Sequence, residues 1–410
     1  MSRLVIPVTS FFYIVMLGFM SALPPFGIDV GLPAIPNMQA ELNVTLAQAT
    51  QTLTLFLVGF AFGPVLFGPL SDHYGRKPIL LFGVALFSLA ALGCAVAPSI
   101  EILFVLRVIQ GIGAGAAASL PAAIVRDVFR GEMALNRQSY VAMVNAVTPL
   151  IAPLVGAAII SFGDWRSIYE ALTVVGAILF MSVWLGYQET APRVQTENTV
   201  LRSALWSYRQ VLSNRNYLIA TGLFSATFGI MFSYISSSSS VFMNLFGASA
   251  TTFGCLFALT AMGEILGAAC NARLAPRFGA ERLLCVAVLG CFMASVTLLA
   301  LALLGVQSIA LCATLVVVSN FCAGVIMPTA THHALKDLGN VAGSAAALQR
   351  SLQMVFGAIA AAAVGLVGEN SLISMACVMT MFAIITLVLL ALSMKTQSRS
   401  SSVAPAYPAK

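Results

Sequence analysis

Charge is what this sequence has least of. Only 8% of its 410 residues are Asp, Glu, Lys or Arg, against about 25% in soluble domains. That scarcity, with 60% hydrophobic residues and a mean hydropathy of +0.96, excludes water as the solvent for most of the chain. Polar stretches long enough for a soluble domain are also missing. At roughly 20 apolar residues per membrane crossing, the length accommodates about a dozen crossings and little else. The eight cysteines, Cys94, Cys255, Cys270, Cys285, Cys291, Cys312, Cys322 and Cys377, include no C-x-x-C pair and no His partner at ligand spacing. That excludes a zinc site and leaves them as small core residues, so no metal is expected. The net charge of +6 comes without a basic stripe interleaved with aromatics, which argues against nucleic acid as a partner. No nucleophile and base stand together, so no enzyme is expected. The apolar N-terminus has no small-residue cleavage site and reads as a first span.

What is present is a series of apolar runs between polar breaks, at 5–33, 49–70, 78–97, 101–126, 138–162, 167–188, 217–241, 250–272, 282–304, 306–334, 341–367 and 370–394. An even number puts both chain ends on one side. With that side taken as cytoplasmic, 17 of the 20 basic residues fall there, as the positive-inside rule requires. Of the others, Arg166 lies in an outer loop, and Arg107 and Arg350 lie inside spans.

The longest interior break divides the chain into a six-helix bundle (1–188), a linker (189–216), a second six-helix bundle (217–394) and a cytoplasmic tail (395–410). Within the linker, LRSALWSYRQVL has the pattern of a surface helix, with Leu201, Leu205, Trp206 and Val211 toward lipid and Arg202 and Arg209 toward phosphates. HYGRKPILL (73–81) and RFGAERLLC (277–285) repeat a turn pattern 204 residues apart. The expected fold class is therefore an all-α integral membrane protein, with twelve transmembrane helices in two pseudo-symmetric bundles around a central pathway.

The segment GPLSDHYGRKP (68–78) closes the second run. Gly68 suits close approach of another helix, Gly75 a tight turn, and Pro78 the first turn of the next helix. Asp72 and Arg76 are spaced to meet across that turn. This string resembles the signature loop of the major facilitator superfamily. GIDVGLPAIP (27–36), LRVIQGIGAGAA (106–117) and SYISSSSSVFMNLFG (233–247) narrow the resemblance to the Bcr/CflA-like branch of twelve-helix drug:proton antiporters, over about residues 10–392. TPLIAPLVGA (148–157) departs from that group's fifth-helix pattern. It keeps Pro153 and Gly156 and puts Thr148, Ala152 and Ala157 where glycines are usual.

Ionisable groups inside spans are expensive and mark function. Asp29 and Arg107 lie at similar depth and can form either a fixed ion pair or a proton-carrying acid with a modulating arginine. The resemblance implies the second, making both proton-coupling residues. Glu264 and Arg350 lie near mid-depth. They either line the cavity, Glu264 favouring cations and Arg350 anionic or polar groups, or pair with each other. Gln110 in the fourth-helix motif and Ser236 in the serine run 236–240 complete the expected substrate cavity with Asp29, Glu264 and Arg350. The resemblance assigns Asp72, Gly75, Arg76 and Asp127 to gating. His332 and His333 read as a helix-end pair.

The function so implied is proton-coupled export of drugs or drug-like small organic molecules by alternating access. The expected setting is the bacterial inner membrane, with no cofactor beyond the proton gradient. Small-molecule substrate, protons and lipid are the expected partners, and the chain is expected to act as a monomer. The alternatives are a dedicated exporter of one metabolite, such as a nucleoside, sugar, amino acid or siderophore-like compound, and a non-transporting sensor on the same scaffold.

Overall fold

A computed structural model describes residues 6–8, 10–191, 200–368 and 371–402. Among the described residues every regular element is helical. Twelve helices are long and apolar enough to cross a membrane: Phe11–Leu42, Leu46–Tyr74, Arg76–Ala95, Ile100–Val128, Gly131–Phe162, Trp165–Gly186, Arg215–Leu245, Ala250–Phe278, Ala280–Leu303, Ile309–Leu335, Ala342–Val367 and Leu372–Lys395. They are called the first to twelfth spans in that order. Several begin at side-chain caps that satisfy free N–H groups. Ser10, Thr45, Asp164, Asn214, Ser249 and Ser308 each accept a backbone hydrogen bond, and Thr45 forms a capping box with Gln48.

Two starts differ from the sequence expectation by more than three residues, and the first and eighth spans run on to Leu42 and Phe278 where 33 and 272 were expected. The first span starts at Phe11 and not at residue 5; residues 1–5 lie outside the described residues. The fifth starts at Gly131, because residues 132–138, which mix polar and apolar side chains, continue the helix beyond the apolar run. Several spans are also interrupted. The first breaks after Asp29 into a short 3-10 turn, Leu32–Ala34. The fourth breaks between Ala118 and Pro121, and the seventh ends in a π-helical turn, Ser240–Leu245. Pro33 and Pro121 account for the first two breaks, since proline suits a new helical start and not the interior.

Packing repeats between the halves. The second span lies against the fourth, and the eighth against the tenth. Glycines set the closeness: a Cβ on Gly63 would lie 2.3 Å from Gly115 Cα, and one on Gly267 2.0 Å from the Phe321 carbonyl. Gly59 and Gly263 make the equivalent contacts with Val108 and Val317. Without a hydrophobic force between helices in lipid, such close backbone contact supplies the attraction.

The halves meet along the second and eleventh spans and along the fifth and eighth. Toward the face remote from the chain ends they are closed: Leu154 fills the space beside Gly254, and Ala47 approaches Gly365. Toward the chain-end face they part, and no atom lies within 4 Å of where Gly68 or Gly343 would carry a Cβ. The close helix approach expected at Gly68 is not made in this conformation.

The linker forms a helix, Val200–Leu212, against the second and eleventh spans. Leu205 and Trp206 are exposed, but Val211 is buried with Tyr217, Ala334, Leu338 and Ala345, so it faces the second half and not lipid. Residues 192–199, and the side chains of Leu201 and Arg202, lie outside the described residues.

Candidate functional site

The gap between the halves is a cavity in two parts. A vestibule of about 690 Å³ at the chain-end face is lined by the second, fourth and eleventh spans and by Tyr208 of the linker. Beyond it, a chamber of about 180 Å³ lies among Asp29, Phe228, Phe232, Phe257, Glu264 and Gln353. Phe60, Ala118 and Arg350 line both and form the threshold.

Asp29, only 4% exposed, ends the first helical segment of the first span, Phe11–Asp29, and faces the chamber. Pro24 and Pro25, one turn earlier, free backbone carbonyls on the same wall. Gly156 of the fifth span holds the turn after Asp29 in place, for a Cβ there would stand 2.1 Å from the Val30 carbonyl oxygen. Pro153 lies inside the same helix, one turn before Gly156.

Arg107 does not pair with Asp29. Its Nη1 donates to the Gly27 carbonyl at 3.2 Å and to Gln110 Oε1 at 2.7 Å, its Nε donates to the Thr52 carbonyl, and its guanidinium lies 4.5 Å from the Phe56 ring centre. It thereby ties the end of the first helix to the second and fourth spans, two residues from Asp29. Gln110 is buried behind it, outside the chamber lining, as is Ser236, whose hydroxyl donates to the Ser233 carbonyl. Glu264 and Arg350 both line the chamber and make no ion pair with each other.

At the chain-end face the structure brings Asp72, Gly75, Arg76 and Asp127 together. Arg76 reaches Asp72 Oδ1 at 2.5 Å, Asp127 Oδ2 at 3.0 Å and Ser71 Oγ at 2.6 Å. Gly75 turns the chain at a φ of 96°, a left-handed value that favours glycine. Asp72 remains exposed toward the vestibule.

Sequence reasoning missed Glu189 here. Gly75 has no side chain to cap the third span, and the Glu189 carboxylate does so from 113 residues away, accepting from the backbone N–H groups of Arg76 (2.9 Å) and Lys77 (3.0 Å). Lys77 in return donates to the Trp184 and Tyr187 carbonyls at the end of the sixth span. Partial burial opposes ionisation of Glu189, but hydrogen bonds from Ala191, Lys77, Arg76 and Thr190 hold its carboxyl below the ordinary value. Tyr208 donates to the Val65 carbonyl, and burial followed by the charge of Asp72 pushes its hydroxyl up to about 12.

On the opposite face Arg166, the outer-loop exception to the charge asymmetry, pairs with Glu41 and covers the Trp165 ring. Among the described residues no cluster of His, Cys, Asp and Glu is suited to a metal.

A cavity between two six-helix bundles, closed at one face and open at the other, is the geometry of alternating access. Residues 11–362 match the Major Facilitator Superfamily. The chain is a member of that superfamily. It is 32% identical over 359 residues to a bicyclomycin resistance protein homolog of Haemophilus influenzae, covering 86% of this chain and 88% of that one. An uncharacterized MFS-type transporter of Bacillus subtilis is 30% identical over 375 residues, covering 90% of this chain and 92% of its relative. The fold also matches a bacterial homolog of the human lysosomal transporter Spinster in an inward-facing, occupied conformation. The TM-score is 0.71 and the identity 15%, with 94% of this chain and 96% of that chain covered. As a facilitator-superfamily protein this chain is a multi-pass membrane transporter of small molecules, and the Bcr/CflA-like resemblance read in its motifs agrees with its drug-resistance relatives.

Proposed function

We propose that this transporter exports drugs or drug-like small organic molecules from the bacterial cytoplasm across the inner membrane in exchange for protons. The observation that carries the reading is Asp29: a buried acid without an ion-pair partner among the described residues, at the deep end of a cavity open to one face. An acid so placed holds a proton or a solute group, but not both, and that exclusion couples the two flows. The drug-resistance relative supports the substrate class. The concentration of basic residues at the chain-end face supports cytoplasmic termini, so the conformation described is open inward. Arg107 orients the Asp29 segment, the Asp72, Arg76 and Asp127 cluster works the gate, and the proton gradient is the energy source. In this reading the protein acts as a monomer, with no cofactor, no nucleic-acid partner and no enzymatic activity.

Expression in a drug-sensitive bacterium tests the proposal. Accumulation of several structurally unrelated compounds should fall, and a protonophore should restore it. Protection confined to one compound class would favour the dedicated-exporter reading, and no effect on any compound would contradict export.

A further inference from the structure

The charges of the chamber are ordered by depth. Arg350 lines both vestibule and chamber, whereas Asp29 and Glu264 line the chamber alone. Counted at about 1.5 Å per residue from the chain-end face, Arg350 lies about 12 Å deep, Glu264 about 21 Å and Asp29 about 27 Å. Among the described residues none of the three has an ion-pair partner. Asp29 is buried and Glu264 half-buried, whereas Arg350 is exposed at the vestibule side of the void. An unpaired acid inside a span is costly, so the two deep carboxylates call for a cationic partner, and the Arg350 guanidinium at the mouth is placed to take an anionic one. Gln353, 6% exposed and one turn along the helix from Arg350, adds a buried Oε1 with no hydrogen-bond donor.

A simple cation entering from the vestibule meets Arg350 first. A simple anion that passes Arg350 ends against two carboxylates. A molecule carrying both signs, cation leading, satisfies both ends. We infer that the chamber binds a small zwitterion with an apolar body, its cationic group between Asp29 and Glu264 and its anionic group on the Arg350 guanidinium. This rests on the export reading and names the substrate class for its cavity. Phe228, Phe232 and Phe257 supply ring faces for the apolar body and for a cationic nitrogen. The chamber volume of about 180 Å³ limits the deep-bound part to a small group, with any excess lying in the vestibule.

Equilibrium binding to the purified full chain tests this with three probes built on one phenyl-bearing body: phenylalanine betaine, its methyl ester and 3-phenylpropionate. The zwitterion should bind roughly tenfold more tightly than the ester or the anion. Arg350→Gln should remove the preference over the ester by weakening the zwitterion and not the ester, and Arg350→Lys should keep part of it. Glu264→Gln should weaken zwitterion and ester together. Misfolding lowers all three affinities alike, so a charge-selective loss reports on the site. Equal affinity of zwitterion and ester in the unaltered protein would overturn the inference, as would uniform loss in an Arg350→Gln protein that melts like the parent. In proteoliposomes of the same preparation, transport of chloramphenicol or tetraphenylphosphonium without zwitterion preference would sink the zwitterion inference alone. Transport of no probe at all would sink the export reading beneath it.

Discussion

Glu189 and Gly156 show how single residues set the geometry of this transporter. The Glu189 carboxylate caps a helix that begins at a glycine, and Lys77 caps the helix that Glu189 follows, so the third and sixth spans hold each other's ends. Glu189→Gln should cost about 0.5–1 kcal/mol, the low end for a helix cap at an exposed position. Since the folded carboxyl titrates below its ordinary value, this stabilisation is fully present above the ordinary value of 4.5 and is lost as pH falls through the lowered one. Melting temperatures of parent and variant should therefore differ at pH 7 and converge in acid; a constant difference would contradict the cap. At Gly156 a single methyl would meet the Val30 carbonyl. Gly156→Ala should lower stability by about 1–3 kcal/mol and reduce transport, because the turn it displaces follows Asp29. A thermal melt and a transport assay on the same variant check both effects.

At the scale of elements, the spans were legible because a bilayer sets a minimum apolar length that few other structures demand. The repeat was legible only in part. The loops at 73–81 and 277–285 show it weakly, yet Gly59 and Gly63 recur as Gly263 and Gly267 at the same 204-residue spacing and pack in the same way. Small residues in an apolar run carry no mark of which neighbour they touch. Gly63→Leu and Gly267→Leu should both abolish folding, read as loss of a monodisperse peak in detergent. Normal yield of either would show that the close pairs are dispensable. Charges inside spans were equally visible, and Asp29, Glu264 and Arg350 do line one chamber. The facing of Gln110 and Ser236 was not, because helices apolar on nearly every side give no periodic stripe to orient them. Val211 does lie on the apolar stripe of the linker helix, but a stripe alone does not say whether lipid or protein covers it. The Glu189 cap was hidden for another reason: a contact 113 residues distant leaves no local spacing. The second half also carries an acid–base contact at the place of the Arg76–Asp127 pair, with acid and base exchanged: Glu281 in the first turn of the ninth span and His333 in the last turn of the tenth lie 3.3 Å apart.

For the whole molecule, the two halves touch by backbone-close packing within each bundle and by fewer contacts across the central gap, which suits rigid rocking of one half on the other. Gly68 and Asp72 sit on the open side of that gap. Gly68→Leu should leave stability within about 0.5 kcal/mol of the parent, as expected where no contact is lost. It should nevertheless slow turnover, because the added side chain would obstruct closure of the vestibule. Asp72→Asn should likewise reduce turnover with little change in affinity. A rise in KM at unchanged turnover in either variant would place these residues in solute binding instead.

The claim that unites the account is that Asp29 exchanges protons against solute. The most direct measurement is the dissipation of an imposed pH gradient in proteoliposomes when solute is added, made with the parent protein and with Asp29→Asn. The account predicts solute-dependent dissipation in the parent and none in the variant. Full proton coupling in Asp29→Asn would contradict it.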